Sequence, residues 1–147
     1  MQVIIQIFTN KYFLVPLLTG FLAQIFKFFL YWYINREADF RWLFYTGGMP
    51  SAHSASVMSL STIVGINKGF DSVIFGVTLY FSLIVMYDAA GLRRAAGQQA
   101  RVINKMMEEL KISHRIREER LREFLGHTPF EVLVGAIFGI LTGILMR

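Results

Sequence analysis

Residues 12–34 read YFLVPLLTGFLAQIFKFFLYWYI, an apolar run that only Gln24 and Lys27 interrupt. The hydrocarbon core of a bilayer is about 30 Å thick, and roughly 20 helical residues are needed to cross it. The run is long enough to span, and residues 1–10 lack the basic segment that opens a cleaved signal peptide. The pattern therefore predicts a membrane-spanning helix.

Three further segments extend this to a small helix bundle. Residues 70–90 and 129–146 are also apolar, and the second contains small residues that allow close helix packing. Residues 50–66 are shorter and rich in serine, so we expect a helix that its neighbours surround. The predicted fold is an all-α membrane protein with three long spans and a shorter buried helix, in one domain over residues 1–147.

The composition of the whole chain agrees with a membrane protein. Hydrophobic residues make up 54% of the 147 residues, and the mean hydropathy is +0.47. These values are too high for an ordinary soluble domain, which makes three buried helices of a soluble protein the weaker alternative. The absence of cysteine excludes disulfides, thiolate chemistry and cysteine-ligated zinc.

Basic residues concentrate on one side of the predicted four-span topology. Residues 35–49 and 91–127 share that side and hold eleven of the fifteen lysines and arginines, so the positive-inside rule makes it cytoplasmic. If residues 50–66 only re-enter the membrane, the last span changes side and this argument weakens.

Residues 91–127 mix charged residues with apolar residues at helical spacing, which predicts a cytoplasmic amphipathic hairpin that breaks near Ser113. Mixed charge and few aromatic residues argue against nucleic acid as a partner.

A first polar motif is GGMPSAHS, residues 47–54. Its glycines permit unusual backbone angles, and Pro50 suits the first turn of the following helix. Unpaired N–H groups at a helix start attract phosphate, Ser51 can add a hydroxyl donor, and His53 can exchange a proton near neutral pH. The residues fit a plain helix cap and an anion site equally well.

A second motif is GHTPFE, residues 126–131. Glu131 follows His127 by four residues. A carboxylate at that spacing can hydrogen-bond one ring nitrogen of the histidine and leave the other nitrogen free to react. Thr128 and Glu131 also have the spacing of a capping box, with Pro129 in the first turn. The two roles are compatible.

A third motif is YDAAGLRR, residues 87–94. Asp88 can pair with Arg93 or Arg94, and either arginine can instead contact phosphate oxygens. Lys27 lies about seven residues, or roughly 10 Å, from the end of its predicted span at Ile34. At that depth its ammonium group is better placed to bind an anion inside the bundle than to reach the membrane surface by snorkelling. In the four-span topology all three motifs fall at the same membrane surface, which favours one shared site over unrelated caps.

These motifs resemble those of the type 2 phosphatidic acid phosphatase superfamily, which includes the vanadium haloperoxidases. PSAH at residues 50–53 is similar to its PSGH motif, with Ala52 in place of glycine. HTPFEV at residues 127–132 is similar to its HxxxD-V stretch, with Glu131 in place of aspartate. From about residue 20 onward the chain is identified as a member of the divergent, DUF212-type branch.

The resemblance implies a role for each matching residue. His127 would be the nucleophile, His53 would protonate the leaving group, and Glu131 would orient His127. The implied phosphate-binding residues are Lys27, Ser51, Ala52, Arg93 and Arg94, with Gly48 and Asp88 in support. The superfamily's first motif continues to an Arg-Pro pair, where this chain has Ile34-Asn35, and its third motif has an arginine where this chain has Leu121. Arg93, Arg94, Arg120 or Arg122 could supply the clamping arginine instead, and we favour Arg93 and Arg94.

The implied function is a membrane lipid phosphatase that forms a phosphohistidine. Its substrate would be a lipid phosphomonoester or diphosphate, such as phosphatidylglycerophosphate, phosphatidate or a prenyl diphosphate, at the cytoplasmic face of a bacterial plasma membrane. The implied reaction needs no metal or other cofactor. His53, His127, Asp88 and Glu131 could bind a metal as a weaker alternative, but their spacing matches no common metal-hydrolase signature. Two alternatives stay open: a non-catalytic protein that binds anionic lipid headgroups or a partner, and a vanadium-dependent haloperoxidase. The small-residue helix faces are compatible with a homodimer.

Overall fold

The computed structural model describes residues 1–44, 47–110 and 126–147, apart from the side chains of 92–94 and 109–110. These residues form helices and no strands. The elements are α1 (Gln2–Thr9), α2 (Lys11–Asn35), a 3₁₀ helix (Phe40–Phe44), α3 (Ala52–Lys68), α4 (Val73–Ala90), α5 (Leu92–Leu110) and α6 (Pro129–Leu145).

Helix α3 lies at the centre and packs against α2, α4 and α6, as predicted for the serine-rich segment. Its buried hydroxyls are hydrogen-bonded. Ser59 donates to the Ser56 carbonyl at 2.8 Å, and the Ser61 and Ser82 hydroxyls lie 2.9 Å apart between α3 and α4. Because serine is small and supplies its own hydrogen bonds, a polar helix can be surrounded by apolar ones without leaving polar groups unpaired.

Glycines on one face of α6 allow it to approach α3 closely. A Cβ added at Gly135 would lie 2.5 Å from the Ser51 carbonyl oxygen, and one at Gly143 would lie 2.9 Å from the Thr62 Cβ. A Cβ at Gly139 would overlap the carbonyl oxygen of Ala55. Any side chain at these positions would push the two helices apart.

The predicted helices are confirmed, with bounds that differ by at most three residues from the observed α2, α3, α4 and α6. By length and composition, two helical runs are long and apolar enough to cross a membrane: α2, and Val73–Glu108, which joins α4 to most of α5. Helix α6 has 17 residues, or roughly 26 Å at 1.5 Å per residue, slightly less than the bilayer core. The third long span therefore stays a prediction.

Two local predictions need correction or completion. Helix α3 begins at Ala52 with Ser51 as its N-cap, so Pro50 precedes the cap and is not in the first turn as predicted. The helix begins after Ser51 because the Ser51 side-chain oxygen caps it by accepting a hydrogen bond from the Ser54 N–H. Helix α5 covers the first part of the segment predicted to form a hairpin. The break near Ser113 and the second half lie outside the described residues, so the cytoplasmic hairpin stays a prediction.

Candidate active site

The three polar motifs meet at one end of the bundle, where α2 and α4 end and α3 and α6 begin. Two main-chain hydrogen bonds join them. The Ser51 N–H donates to the Glu131 carbonyl at 3.2 Å, and the His127 N–H donates to the Ala89 carbonyl at 3.0 Å. Since main-chain bonds do not depend on side-chain rotamers, they hold the helix ends together in a defined register.

The His127 ring is held by Glu131 at the start of α6. The Nδ1 atom of His127 lies 3.2 Å from Oε2 of Glu131, and the same oxygen accepts the Thr128 N–H at 3.1 Å. The Thr128 hydroxyl in turn accepts the Glu131 N–H, which completes the predicted capping box. Because a carboxylate only accepts, Nδ1 carries the proton and Nε2 of the neutral ring is left as the nucleophilic nitrogen.

The two imidazoles predicted to share a site lie side by side. The ring centroids of His53 and His127 are 6.5 Å apart, with the planes inclined by 62°. Only 2% of His127 is exposed, whereas His53, in the first turn of α3, is exposed. A reacting phosphorus sits about 3–3.5 Å from its attacking atom, so this separation suits one phosphoryl group between the rings.

Burial sets the protonation of His127. Desolvation lowers the pKa of His127 below its ordinary value of 6.5, and the nearby charge of Lys27 acts in the same direction. The hydrogen bond to Glu131 opposes this by raising the pKa, but it is the smaller effect. The ring is therefore neutral near pH 7, which is the form that a nucleophile requires.

Lys27 brings a buried cation to the same place. Only 3% of the residue is exposed, and its Nζ donates to the Gln24 Oε1 at 3.0 Å. Gly48, with φ at +80°, lies beside Lys27 and Trp42: a Cβ added there would lie 3.6 Å from the Cδ of Lys27. That backbone conformation suits glycine, and a Cβ there would lie 3.2 Å from Trp42.

A cavity of about 400 Å³ joins these groups. Its polar lining is His53, His127, Lys27, Gln24 and Ser56, and its apolar lining includes Leu17, Phe21 and Phe44. A second cavity of about 600 Å³ lies on the other side of Lys27, beside Trp42, Thr128 and Glu131. A cation and two imidazoles around a cavity of this size form a suitable site for a small anion with an apolar substituent.

Ser51 differs from its predicted role. The residue is fully buried, and its hydroxyl oxygen accepts from the N–H and the hydroxyl of Ser54. It therefore acts as a helix cap rather than an open phosphate ligand. Ala52 lines the cavity, and the N–H groups of Ala52 and His53 have no acceptor within the helix because they belong to its first turn.

The remaining predicted residues are less closely described. The side chains of Arg93 and Arg94 lie outside the described residues. Asp88 is half-buried in the last turn of α4, next in sequence to the carbonyl that holds His127. Within residues 1–44, 47–110 and 126–147, no group of three or more His, Asp or Glu side chains is placed to hold a metal ion.

Sequence reasoning missed Trp42 as part of the site, and it placed Gln24 only on the same helical face as Lys27. Gln24 precedes Lys27 by three residues, a spacing that places both on one helical face. The glycine spacing of α6 predicted close packing, but not that its first member would lie against Ser51. Trp42 stacks on Tyr31 at 4.1 Å between centroids, and no motif in the sequence indicated this contact.

Comparison with known proteins agrees with this arrangement of motifs. The profile of the Divergent PAP2 family matches residues 8–142. The chain is 39% identical to the uncharacterized membrane protein YuiD of Bacillus subtilis (strain 168), over 92% of this chain and 93% of that protein. No solved structure matches the chain. The membrane relative and the apolar helices together support association with a membrane. The predicted resemblance is confirmed, and the chain belongs to the Divergent PAP2 family.

Proposed function

We propose that the chain is a membrane phosphatase that hydrolyses a phosphate ester or anhydride of a lipid through a phosphohistidine on His127. The observation that carries the proposal is the pair of imidazoles, with centroids 6.5 Å apart, beside a cavity that also contains a buried lysine. The family's relation to phosphatidic acid phosphatases supports the same reaction class.

In the first step Nε2 of His127 attacks phosphorus while the bond to the lipid oxygen breaks. His53 gives its proton to that oxygen, so the lipid leaves as an alcohol, or as a monophosphate when the substrate is a diphosphate. Glu131 holds Nδ1–H and stabilises the positive charge that develops on the ring.

In the second step His53 removes a proton from water, and the water oxygen attacks phosphorus. The nitrogen–phosphorus bond then breaks, inorganic phosphate leaves, and both histidines return to their starting states. Splitting the hydrolysis in this way replaces one difficult displacement by two easier ones.

Lys27 and the first amides of α3 provide the electrostatic part of catalysis. A buried ammonium and helix-start N–H groups stabilise charge on the equatorial phosphate oxygens more strongly than water does. Arg93 and Arg94, which follow α4 at the same end of the bundle, are proposed as further cations for the phosphate.

The proposed substrate is a lipid made at the cytoplasmic face of the plasma membrane, such as phosphatidylglycerophosphate, phosphatidate or a prenyl diphosphate. The excess of basic residues on the side that carries the site supports this orientation. An apolar cavity wall beside the cations supports a lipid over a free sugar or nucleotide phosphate.

A second candidate is non-catalytic binding of anionic lipid headgroups. It is favoured by one observation: Leu121 stands where the superfamily has a phosphate-clamping arginine. A site that binds phosphate without that arginine would retain affinity and lack turnover.

The test is phosphate release from short-chain lipid phosphates by purified protein, comparing wild type with His127→Ala. His114→Ala is the matched control, because His114 belongs to none of the three motifs. We expect release by wild type and by the control, and none above background by His127→Ala. Radiolabelled substrate should also leave an acid-labile phosphoryl group on wild type that His127→Asn lacks. Equal release by wild type and His127→Ala would refute a phosphohistidine on His127, and binding without release across the substrate panel would favour the second candidate.

A further inference from the structure

We infer that one hydrocarbon chain of the substrate lies in a groove along α2, formed by Leu17, Gly20 and Phe21 with Ser56 of α3. This inference rests on the proposed function and specifies the substrate: a lipid whose phosphate terminates a chain that runs parallel to α2.

The groove continues directly from the two-histidine site. Leu17, Gly20, Gln24 and Lys27 recur at intervals of three or four residues, so they share one face of α2. Leu17 precedes Lys27 by ten residues, which is about 15 Å along the helix axis. Because both residues line the cavity, it extends from the cation toward the bilayer interior. The cavity is therefore polar at one end and apolar at the other, as a lipid phosphate is.

Gly20 leaves the groove open. A Cβ there would lie 3.5 Å from the Ser56 Cβ and 3.7 Å from the Ala52 carbonyl oxygen, both ordinary contacts. Helix packing thus does not demand glycine at this position, in contrast to Gly135, although glycine costs about 0.5–1 kcal/mol in a helix. Leu17 and Phe21 line the cavity beside Gly20, and these residues are 55% and 63% exposed.

Two other cavities near α3 that described residues line suit a lipid chain less well. The cavity beside Trp42 lies at the C-terminal end of α2, toward the headgroups, and is lined by Asn35, Thr128 and Glu131. The cavity lined by Met58, Phe70 and Phe75 is apolar, but it lies at the opposite end of the bundle from the histidines. Among these three cavities, all lined by described residues, the groove along α2 is the one that joins an apolar path to both imidazoles.

Gly20→Leu fills the groove and tests the inference. Wild type and variant are assayed in identical nanodiscs with butyl phosphate and dodecyl phosphate, so partitioning into the bilayer is the same for both proteins. We expect kcat/KM for dodecyl phosphate to fall at least about tenfold, while butyl phosphate stays within about twofold. Gly20→Ala should give an intermediate loss. Gly76→Leu on α4 is the matched control, because a Cβ there meets nothing within 4 Å, and it should leave both substrates unaffected.

Photolabelling separates this inference from the proposed function. A dodecyl phosphate with a diazirine at the chain end should label residues 17–21 in wild type, and Gly20→Leu should abolish that label. Equal loss on both alkyl phosphates, no loss on either, or labelling elsewhere in the chain overturns the groove. If wild type releases no phosphate from either substrate, the proposed hydrolysis fails, and the site of labelling still decides whether the groove holds a chain.

Discussion

Replacing Gly135 by alanine should separate the two histidines without altering either. The new Cβ would lie 2.5 Å from the Ser51 carbonyl oxygen and 3.0 Å from the Ser51 nitrogen. Both are backbone atoms, so no side-chain rotation can relieve the overlap. Ordinary contact begins at 3.4 Å, and the start of α6 must therefore move by about 0.9 Å from α3.

That displacement acts on the site because its two halves are on different helices. His53 belongs to α3, whereas Glu131 belongs to the first turn of α6 and His127 lies two residues before that helix. A misplacement of about 1 Å can cost about 100-fold in rate, equivalent to about 2.7 kcal/mol of activation free energy. We expect phosphate release by Gly135→Ala to fall by about this factor.

The assay is phosphate release per folded molecule, with folding checked by size-exclusion chromatography and circular dichroism. Gly76→Ala is the matched control, since the added methyl group meets nothing within 4 Å and should stabilise α4 by up to about 1 kcal/mol. Activity of Gly135→Ala within a factor of about three of wild type, in a folded protein, would refute the coupling of helix separation to catalysis.

Four further outcomes follow from the site and the bundle. The acidic limb of the kcat/KM profile should lie below pH 6.5, because burial lowers the pKa of His127 and protonation removes the nucleophile. The free energy of unfolding should also decrease as pH falls below 6.5, since His127 binds a proton at higher pH in the unfolded chain than in the folded protein. Glu131→Gln should move this limb to still lower pH and reduce kcat, because Glu131 raises the pKa of His127 and stabilises its charged form; an unchanged limb would contradict their contact. Lys27→Met should lower kcat/KM by about 10²–10³, the loss typical of one donor to developing charge, and wild-type kinetics would exclude Lys27 from the site. Cysteines that replace Thr62 and Gly143 should oxidise to a disulfide, because their Cβ atoms would lie 2.9 Å apart and a small separation of the two helices brings them to the distance that a disulfide needs. The disulfide would be visible as a mobility shift that a reductant reverses. Failure to oxidise would contradict the packing of α6 on α3.

The helices were predictable because their signals are local. An apolar run of sufficient length predicts a helix in a membrane whatever its neighbours are, since backbone groups in hydrocarbon must bond within the segment. The capping box of Thr128 and Glu131 was predictable for the same reason, because three residues of one turn suffice to form it. The predicted spans of α2 and α4 rest on such signals, whereas α1 has only eight residues, too few for a clear pattern.

The role of Ser51 was not predictable from its neighbours in sequence. A serine before a helix has the same local pattern whether it caps the helix or contacts a phosphate. Gly135 decides between these roles, because the absence of its side chain lets α6 cover Ser51 and leaves it fully buried. The contact of Gln24 with Lys27 was predictable in part. Helical spacing places the two residues on one face, but only the structure shows the hydrogen bond between them.

The sequence alone determined the membrane class of this protein, the positions of its main helices, and the placing of His53, His127 and Glu131 beside helix starts. All of these depend on hydropathy and on residues within one or two turns. The tertiary structure decided which helix ends meet, how far apart the imidazoles lie, and which polar groups face the cavity. Those properties depend on contacts such as Ser51 to Glu131 and His127 to Ala89, which join segments distant in the chain and have no local signature.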